Sequence, residues 1–190
     1  MQTRLTPTSW SADGRLLVFD RTSPTTGVDI SILPMEGERK AFPFLQTPFW
    51  EGLGRFSPDG RWMAYQSDES GRPEIYIQPF PGPGAKVQIS TDGGTSPVWG
   101  SGGRELFFAN GRKVMAASIL AGAAIQASKP ALLFEAGKGS EAKELINYDA
   151  APDGQRFVLL LGDVAAGGTE VRVVLNWFEE LKKRVPTDER

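Results

Sequence analysis

The chain contains no cysteine and no histidine. The first absence excludes disulfides, thiolate nucleophiles and Cys-zinc sites. The second excludes a Ser-His-Asp triad, imidazole-ligated metals and the usual general base near neutral pH. An excess of charge of one sign is also lacking. The 21 Lys and Arg nearly offset the 23 Asp and Glu, leaving a net charge of −2, and the longest basic run is Lys182-Lys183-Arg184. A surface that neutralises phosphates needs a stripe of Lys and Arg, so no nucleic-acid partner is expected. No apolar run approaches the roughly 18 residues that a membrane-spanning helix needs, and Met1-Gln2-Thr3-Arg4 does not lead into an apolar signal core. Direct membrane insertion is therefore not expected. No Gly-x-Ser-x-Gly segment occurs. Paired carboxylates alone suffice for glycoside hydrolysis, so that chemistry is not excluded by composition. No residue set points to a metal or an organic cofactor.

Turn residues are abundant. The 190 residues include 22 Gly and 14 Pro, a composition suited to short strands joined by tight turns. One turn recurs. Trp10-Ser11-Ala12-Asp13-Gly14-Arg15 is followed by Phe56-Ser57-Pro58-Asp59-Gly60-Arg61, by a degenerate Trp99-Gly100-Ser101-Gly102-Gly103-Arg104, and by Ala150-Ala151-Pro152-Asp153-Gly154-Gln155. The corner glycines Gly14, Gly60, Gly103 and Gly154 lie 46, 43 and 51 residues apart, the period of a four-stranded propeller blade. Gly accepts positive φ without steric cost and Asp tolerates it, so Asp-Gly here predicts a tight hairpin. In the third copy Gly102 replaces the Asp, which keeps the turn and removes its side-chain hydrogen bond.

Each corner precedes a bulky run: Leu16 to Phe19, Trp62 to Tyr65, Leu106 to Phe108 and Phe157 to Leu161. These runs are apolar at adjacent positions, which predicts strands covered on both faces. Val28 to Leu33, Glu74 to Gln78, Val114 to Ile119 and Val171 to Leu175 read as third strands, and Pro34 and Pro79 should end the first two. Arg39 to Phe42, Lys86 to Ser90 and Leu132 to Glu135 read as more polar outer strands. The predicted fold is all-β: a propeller of four visible blades, over residues 7–45, 53–91, 96–136 and 147–177, alone or as part of a larger ring. A short C-terminal helix over 177–185 follows, with Asn176 as its cap and Glu179–Lys183 and Glu180–Arg184 as i,i+4 pairs. Residues 2–6 read as an outer strand that could close the ring on the last blade. An incomplete ring would favour self-association.

These corners resemble the WD-like repeats of TolB-type β-propellers, whose blade signature is Trp/Phe-Ser-Pro-Asp-Gly-Arg before a buried strand. Two further stretches, Tyr65 to Trp99 (YQSDESGRPEIYIQPFPGPGAKVQISTDGGTSPVW) and Val173 to Arg184 (VVLNWFEELKKR), resemble the C-terminal propeller of bacterial transmembrane serine/threonine kinases. That resemblance implies the sensory or interaction part of a receptor-like kinase, facing the periplasm; without it the compartment would be cytoplasmic. No kinase motif is present, so these residues cannot transfer phosphate. The implied function is a non-catalytic binding or scaffold module for a protein or peptide partner. The alternative is the accessory propeller of a prolyl-oligopeptidase-like hydrolase whose catalytic domain lies outside these residues.

Loops on rigid scaffolds carry binding, and Phe49, Trp50 and Glu51, in the loop from Gln46 to Gly54, are the candidate partner-binding residues. Asp13, Gly14, Asp59, Gly60, Gly102, Gly103, Asp153 and Gly154 are read as structural turn formers. Trp10, Phe56 and Trp99 share one repeat position and should pack between blades. Asp68-Glu69-Ser70-Gly71 lacks the spacing of a calcium loop and is read as a solvated hairpin. Pro79 to Gly84 is read as a stiff connector.

Overall fold

The structure is a computed structural model that describes residues 3–122, 124–136, 144–151, 156–163 and 168–174. Its strands form four antiparallel sheets, one after another along the chain. The first sheet is β1 (Leu5–Trp10), β2 (Leu16–Ser23), β3 (Gly27–Pro34) and β4 (Phe42–Leu45). The second is β5 (Glu51–Phe56), β6 (Trp62–Ser67), β7 (Glu74–Pro79) and β8 (Val87–Gln88). The third holds β9 (Thr95–Trp99), β10 (Glu105–Asn110), β11 (Lys113–Ala121), β12 (Ile125–Ala127) and β13 (Ala131–Glu135). The fourth holds β14 (Glu144–Ala150), β15 (Phe157–Asp163) and β16 (Gly168–Val174).

The recurring corner is one loop used repeatedly. Ser57 N–H donates to Trp62 O at 2.9 Å, and the same closing bond runs from Ser11 to Leu16 (2.9 Å), Gly100 to Glu105 (2.9 Å) and Ala151 to Arg156 (2.8 Å). Inside it Gly60 N–H donates to Ser57 O at 2.9 Å, and only the glycine takes positive φ, +70° at Gly60 and +71° at Gly14. The loop is thus longer than the two-residue hairpin that Asp-Gly predicts, and the Asp has another task. Its Oδ1 accepts the Ser57 hydroxyl at 2.6 Å and the Arg61 N–H at 3.1 Å, while Ser57 Oγ accepts the Trp62 N–H at 3.0 Å. Asp13 and Ser11 repeat the arrangement with Arg15 and Leu16. In the third copy Gly102 and Gly103 both take positive φ, and the Gly103 N–H to Gly100 O bond holds the turn without a carboxylate. Asp153 and Gly154 lie outside the described residues.

The second and third bulky runs are sandwiched as their pattern predicts, whereas the first and fourth are packed against a described sheet on one face, and Val158 of the fourth is exposed. On β6, Met63 and Tyr65 join Val18, Ile30 and Ile32 in a core between the first and second sheets. Trp62 and Ala64, on the other face, pack with Leu106, Phe108 and Ile119 of the third sheet. Phe107 and Ala109 face Phe157, Leu159 and Leu161 of the fourth. The first strands of successive sheets touch, β1 with β5, β5 with β9 and β9 with β14. They therefore run along a common axis from which the sheets fan outward, and the fold is an all-β propeller. Among the described residues no comparable contact joins β14 back to β1.

Several expectations need correction. Leu5 and Thr6 do not form a separate outer strand that closes the ring on the last blade. They begin β1 and pair with Arg21 and Asp20 of their own sheet, because the β1 ladder continues along β2 from Leu17 to Arg21. The first outer strand is Phe42–Leu45 rather than Arg39 to Phe42. Ile125–Ala127, not anticipated, pairs with the distal end of the long β11. Trp10 does not pack between two of the described sheets: it is 54% exposed. Phe56 is buried, and Trp99 donates its indole N–H to Arg55 O at 3.1 Å. Residues 177–185, expected to be helical, lie outside the described residues.

Candidate functional site

The loop before β5 is braced from below. Trp50 N–H donates to Asp68 Oδ1 at 2.9 Å, and Asp68 N–H donates back to Trp50 O at 3.3 Å. Phe49 N–H donates to Thr47 Oγ1 at 3.2 Å. The expected hairpin loop at Asp68 is therefore a support: Asp68 O also accepts Gly71 N–H at 2.8 Å, and Glu69 pairs with Lys86.

The three candidate residues of this loop separate. Phe49 is 42% exposed. Trp50 is half-buried, and its ring lies across Gly52, where an added Cβ would come within 2.7 Å of Trp50 Cη2. Only a residue without a Cβ admits the indole there. Glu51 is 2% exposed and is not a surface contact. Its carboxylate accepts the Thr47 hydroxyl and the Thr47 N–H. Burial pushes its carboxyl upward against those bonds, helped by the negative charges of Asp29 and Glu69.

Trp50 lines a cavity of about 200 Å³ with Arg4, Thr6, Asp20, Thr22 and Val28. Asp20 forms its buried side and accepts Leu53 N–H with both oxygens, at 3.0 and 3.1 Å. Burial raises its pKa to about 6, with the Leu53 bond and the Arg55 charge pulling it down. The arrangement offers one aromatic face, one cation and one largely desolvated carboxylate in a shallow recess. Such a recess can seat a side chain.

The turn formers Asp13, Gly60 and Asp59 border a second cavity, of about 270 Å³, floored by Leu16, Phe56 and Phe80. Their carboxylates are committed to the corner bonds. The Ser11 hydroxyl lowers the pKa of Asp13, with the Arg15 N–H adding to it.

Sequence reasoning missed Asp20 and Arg55. Asp20 stands where the second repeat has Gln66, while the third and fourth have Ala109 and Leu160. Arg55 directly precedes the Phe-Ser-Pro-Asp-Gly corner, where the fourth repeat has Asp149. The available signal was a charged residue at a strand position that other repeats fill with apolar ones, Ala109 and Leu160 in place of Asp20 and Val98 in place of Arg55.

No family model matches the chain, and no curated protein matches it. Solved structures do. TolB from Acinetobacter baumannii superposes with a TM-score of 0.67 at 15% identity, over 90% of this chain and 40% of that one. An oligogalacturonate lyase in complex with manganese gives 0.63 at 13% identity, over 90% and 50%. A Mycobacterium tuberculosis puromycin-hydrolyzing peptidase gives 0.58 at 18% identity, over 90% and 29%. The class is thus a β-propeller. The likeness to TolB is one of fold, and the chain spans half or less of the length of each of these three structures.

Proposed function

We propose that the chain is a non-catalytic binding module for a protein or peptide partner, with Phe49 and Trp50 as its contact residues. The observation that carries this reading is a braced loop that sets Trp50 on the Asp20 recess with the exposed Phe49 next to it in the chain. Trp50 is fixed by Asp68 and Gly52 and presents part of its ring, while Phe49 beside it stays exposed. A rigid aromatic anchor loses little conformational entropy when a partner covers it, which is why such residues dominate binding energy. A peptide library displayed on phage and selected on the immobilised chain tests the reading. Trp50→Ala and Phe49→Ala should each weaken the selected peptides at least tenfold while keeping the wild-type circular-dichroism spectrum at the assay temperature. Selection of no peptide, or equal binding by both variants, would overturn it.

The parent architecture we infer is a receptor-like serine/threonine kinase, in which this module is the sensory or interaction part. The support is the resemblance in Tyr65 to Trp99 and Val173 to Arg184. Kinase motifs and a membrane span encoded upstream in the same reading frame are the expected finding. A second reading, the accessory propeller of a prolyl-oligopeptidase-like hydrolase, is favoured by the likeness to prolyl oligopeptidase B from Galerina marginata, with a TM-score of 0.55 at 12% identity over 89% of this chain and 25% of that one. A Gly-x-Ser-x-Gly segment in that frame would select it.

A further inference from the structure

Arg55 lies on β5, an inner strand, and its half-buried side chain reaches the recess between β5 and the inner strand of the fourth sheet. That recess has a volume of about 210 Å³ and is lined by Arg55, Asn147, Tyr148, Asp149, Val158, Leu159 and Leu160. Among the described residues the Arg55 guanidinium makes no hydrogen bond and no ion pair; its positive charge is felt by Asp20 and Tyr148. The Asp20 oxygens are both taken by Leu53 N–H. The Tyr148 hydroxyl is spent on Ser96 O, at 2.9 Å. Asn147 Oδ1 accepts Tyr148 N–H at 2.8 Å, which orients the amide and leaves its NH2 group available. Asp149 Oδ1 accepts Ala150 N–H at 3.0 Å, leaving its second oxygen open. A partly desolvated guanidinium without a counter-ion is costly to keep and gains most from a planar anion.

We propose that this recess is a receptor for the terminal carboxylate of a peptide or N-acylated amino acid with an apolar side chain. Arg55 takes the carboxylate, with Asn147 as a second donor. Asp149 accepts the ligand's backbone N–H, and the side chain lies along Val158 and Leu160, the first of them markedly exposed. One cation and one carboxylate in the same recess suit a monoanion that brings its own N–H, and they disfavour a dianion such as phosphate. The volume admits about one residue. This site is separate from the Phe49 and Trp50 surface and does not depend on it.

The test uses N-acetyl-L-leucine, its C-terminal amide and inorganic phosphate as probes, read by the side-chain Nε–H NMR signal of Arg55. The signal is assigned by its loss in Arg55→Lys. The free acid should shift it saturably, with a Kd of about 1 mM, the weak end expected of so small a ligand, and the amide should leave it in place. The leucine methyl signals should show transferred contacts that vanish in Arg55→Gln and persist, weakened, in Arg55→Lys. Trp50→Ala should leave the titration unchanged, so failure here and failure of the partner-binding reading are distinguishable. Equal shifts by acid and amide, tighter binding of phosphate, or no shift at all would overturn the proposal.

Discussion

Asp20 on β2 reaches out of its own sheet and holds the backbone N–H of Leu53 on β5, at 3.0 and 3.1 Å from its two oxygens. Leu53 has a φ of +57° and sits in the bulge where the pairing of β5 with β6 shifts between Gly52 and Arg55. A branched side chain is strained in that region, so the bond stabilises an inner-strand kink and ties the first two sheets together. Burial raises the Asp20 pKa from 3.8 to about 6. The folded state therefore binds this proton more tightly than the unfolded one. The contribution of the group is fully present below about pH 4 and is lost as pH rises through about 6. A shift of this size corresponds to about 3 kcal/mol. Asp20→Asn keeps an oxygen for Leu53 and removes the titration. It should be more stable than wild type at pH 7, by up to about 3 kcal/mol, with the gap closing towards pH 4. Urea unfolding of both proteins across that range checks it, and a wild type that is the more stable at pH 7 would refute it.

The corner serines should differ in weight. Ser57 is buried and its Oγ is the acceptor for the buried Trp62 N–H at 3.0 Å. Ser57→Ala strands that donor away from water and should cost about 2 kcal/mol. Ser11 makes the same bond to Leu16 at 2.9 Å, but in a part-buried corner that water can reach. Ser11→Ala should cost about 1 kcal/mol or less. Thermal unfolding of the two variants side by side measures the difference. Equal losses would mean that burial does not set the worth of this bond.

The blade count and the buried strands were legible because the corner is a local code. Ser, Asp and Gly at fixed offsets make the same five bonds in the first and second copies, whatever surrounds them. The third copy shows how little of that code the backbone needs. The runs after the second and third corners betrayed their two covered faces by apolar residues at adjacent positions, as Met63 and Ala64 illustrate by facing opposite cores; the same pattern in the fourth run leaves Val158 exposed. The fate of Leu5 and Thr6 was not legible. Thr and Leu suit an outer strand as well as an inner one, and the choice depends on how far β2 extends. The site was harder still. Phe49 and Trp50 stood out as aromatics in a loop, but Glu51 beside them turned inward, because Thr47 sits where it can satisfy a buried carboxylate. Arg55 and Asp149 are distant in sequence and meet only through the fanning of the sheets about their axis.

Phe157 is the keystone of the contact between the third and fourth sheets. Its ring meets Phe107 at 5.0 Å and 77° and Phe134 at 5.3 Å and 70°, both edge-on, an arrangement that adds to the gain from burial alone. Phe157→Ala should cost about 3–5 kcal/mol, and Phe157→Leu clearly less. Denaturant unfolding followed by intrinsic fluorescence measures both. A loss under about 1 kcal/mol for the alanine variant would mean that this core is not packed as one unit.

Gly54 offers the most direct test of how closely the first two sheets approach. A Cβ at this position would stand 2.9 Å from Val18 Cγ1 and 3.2 Å from Ile30 Cγ2. Both neighbours are fully buried in the core that joins these sheets, so neither can swing aside into solvent. The main chain is pinned there as well, because Gly54 O accepts the Thr8 hydroxyl at 2.9 Å. Gly54→Ala must therefore push the sheets apart or distort a rotamer, at about 1–3 kcal/mol. Val18→Ala alone leaves a cavity and is also destabilising. The double variant Gly54→Ala/Val18→Ala removes the methyl that the new Cβ would strike. It should be more stable than the sum of the two single losses implies, with a coupling of about 1 kcal/mol. Strict additivity would mean that the β5 backbone does not lie against Val18.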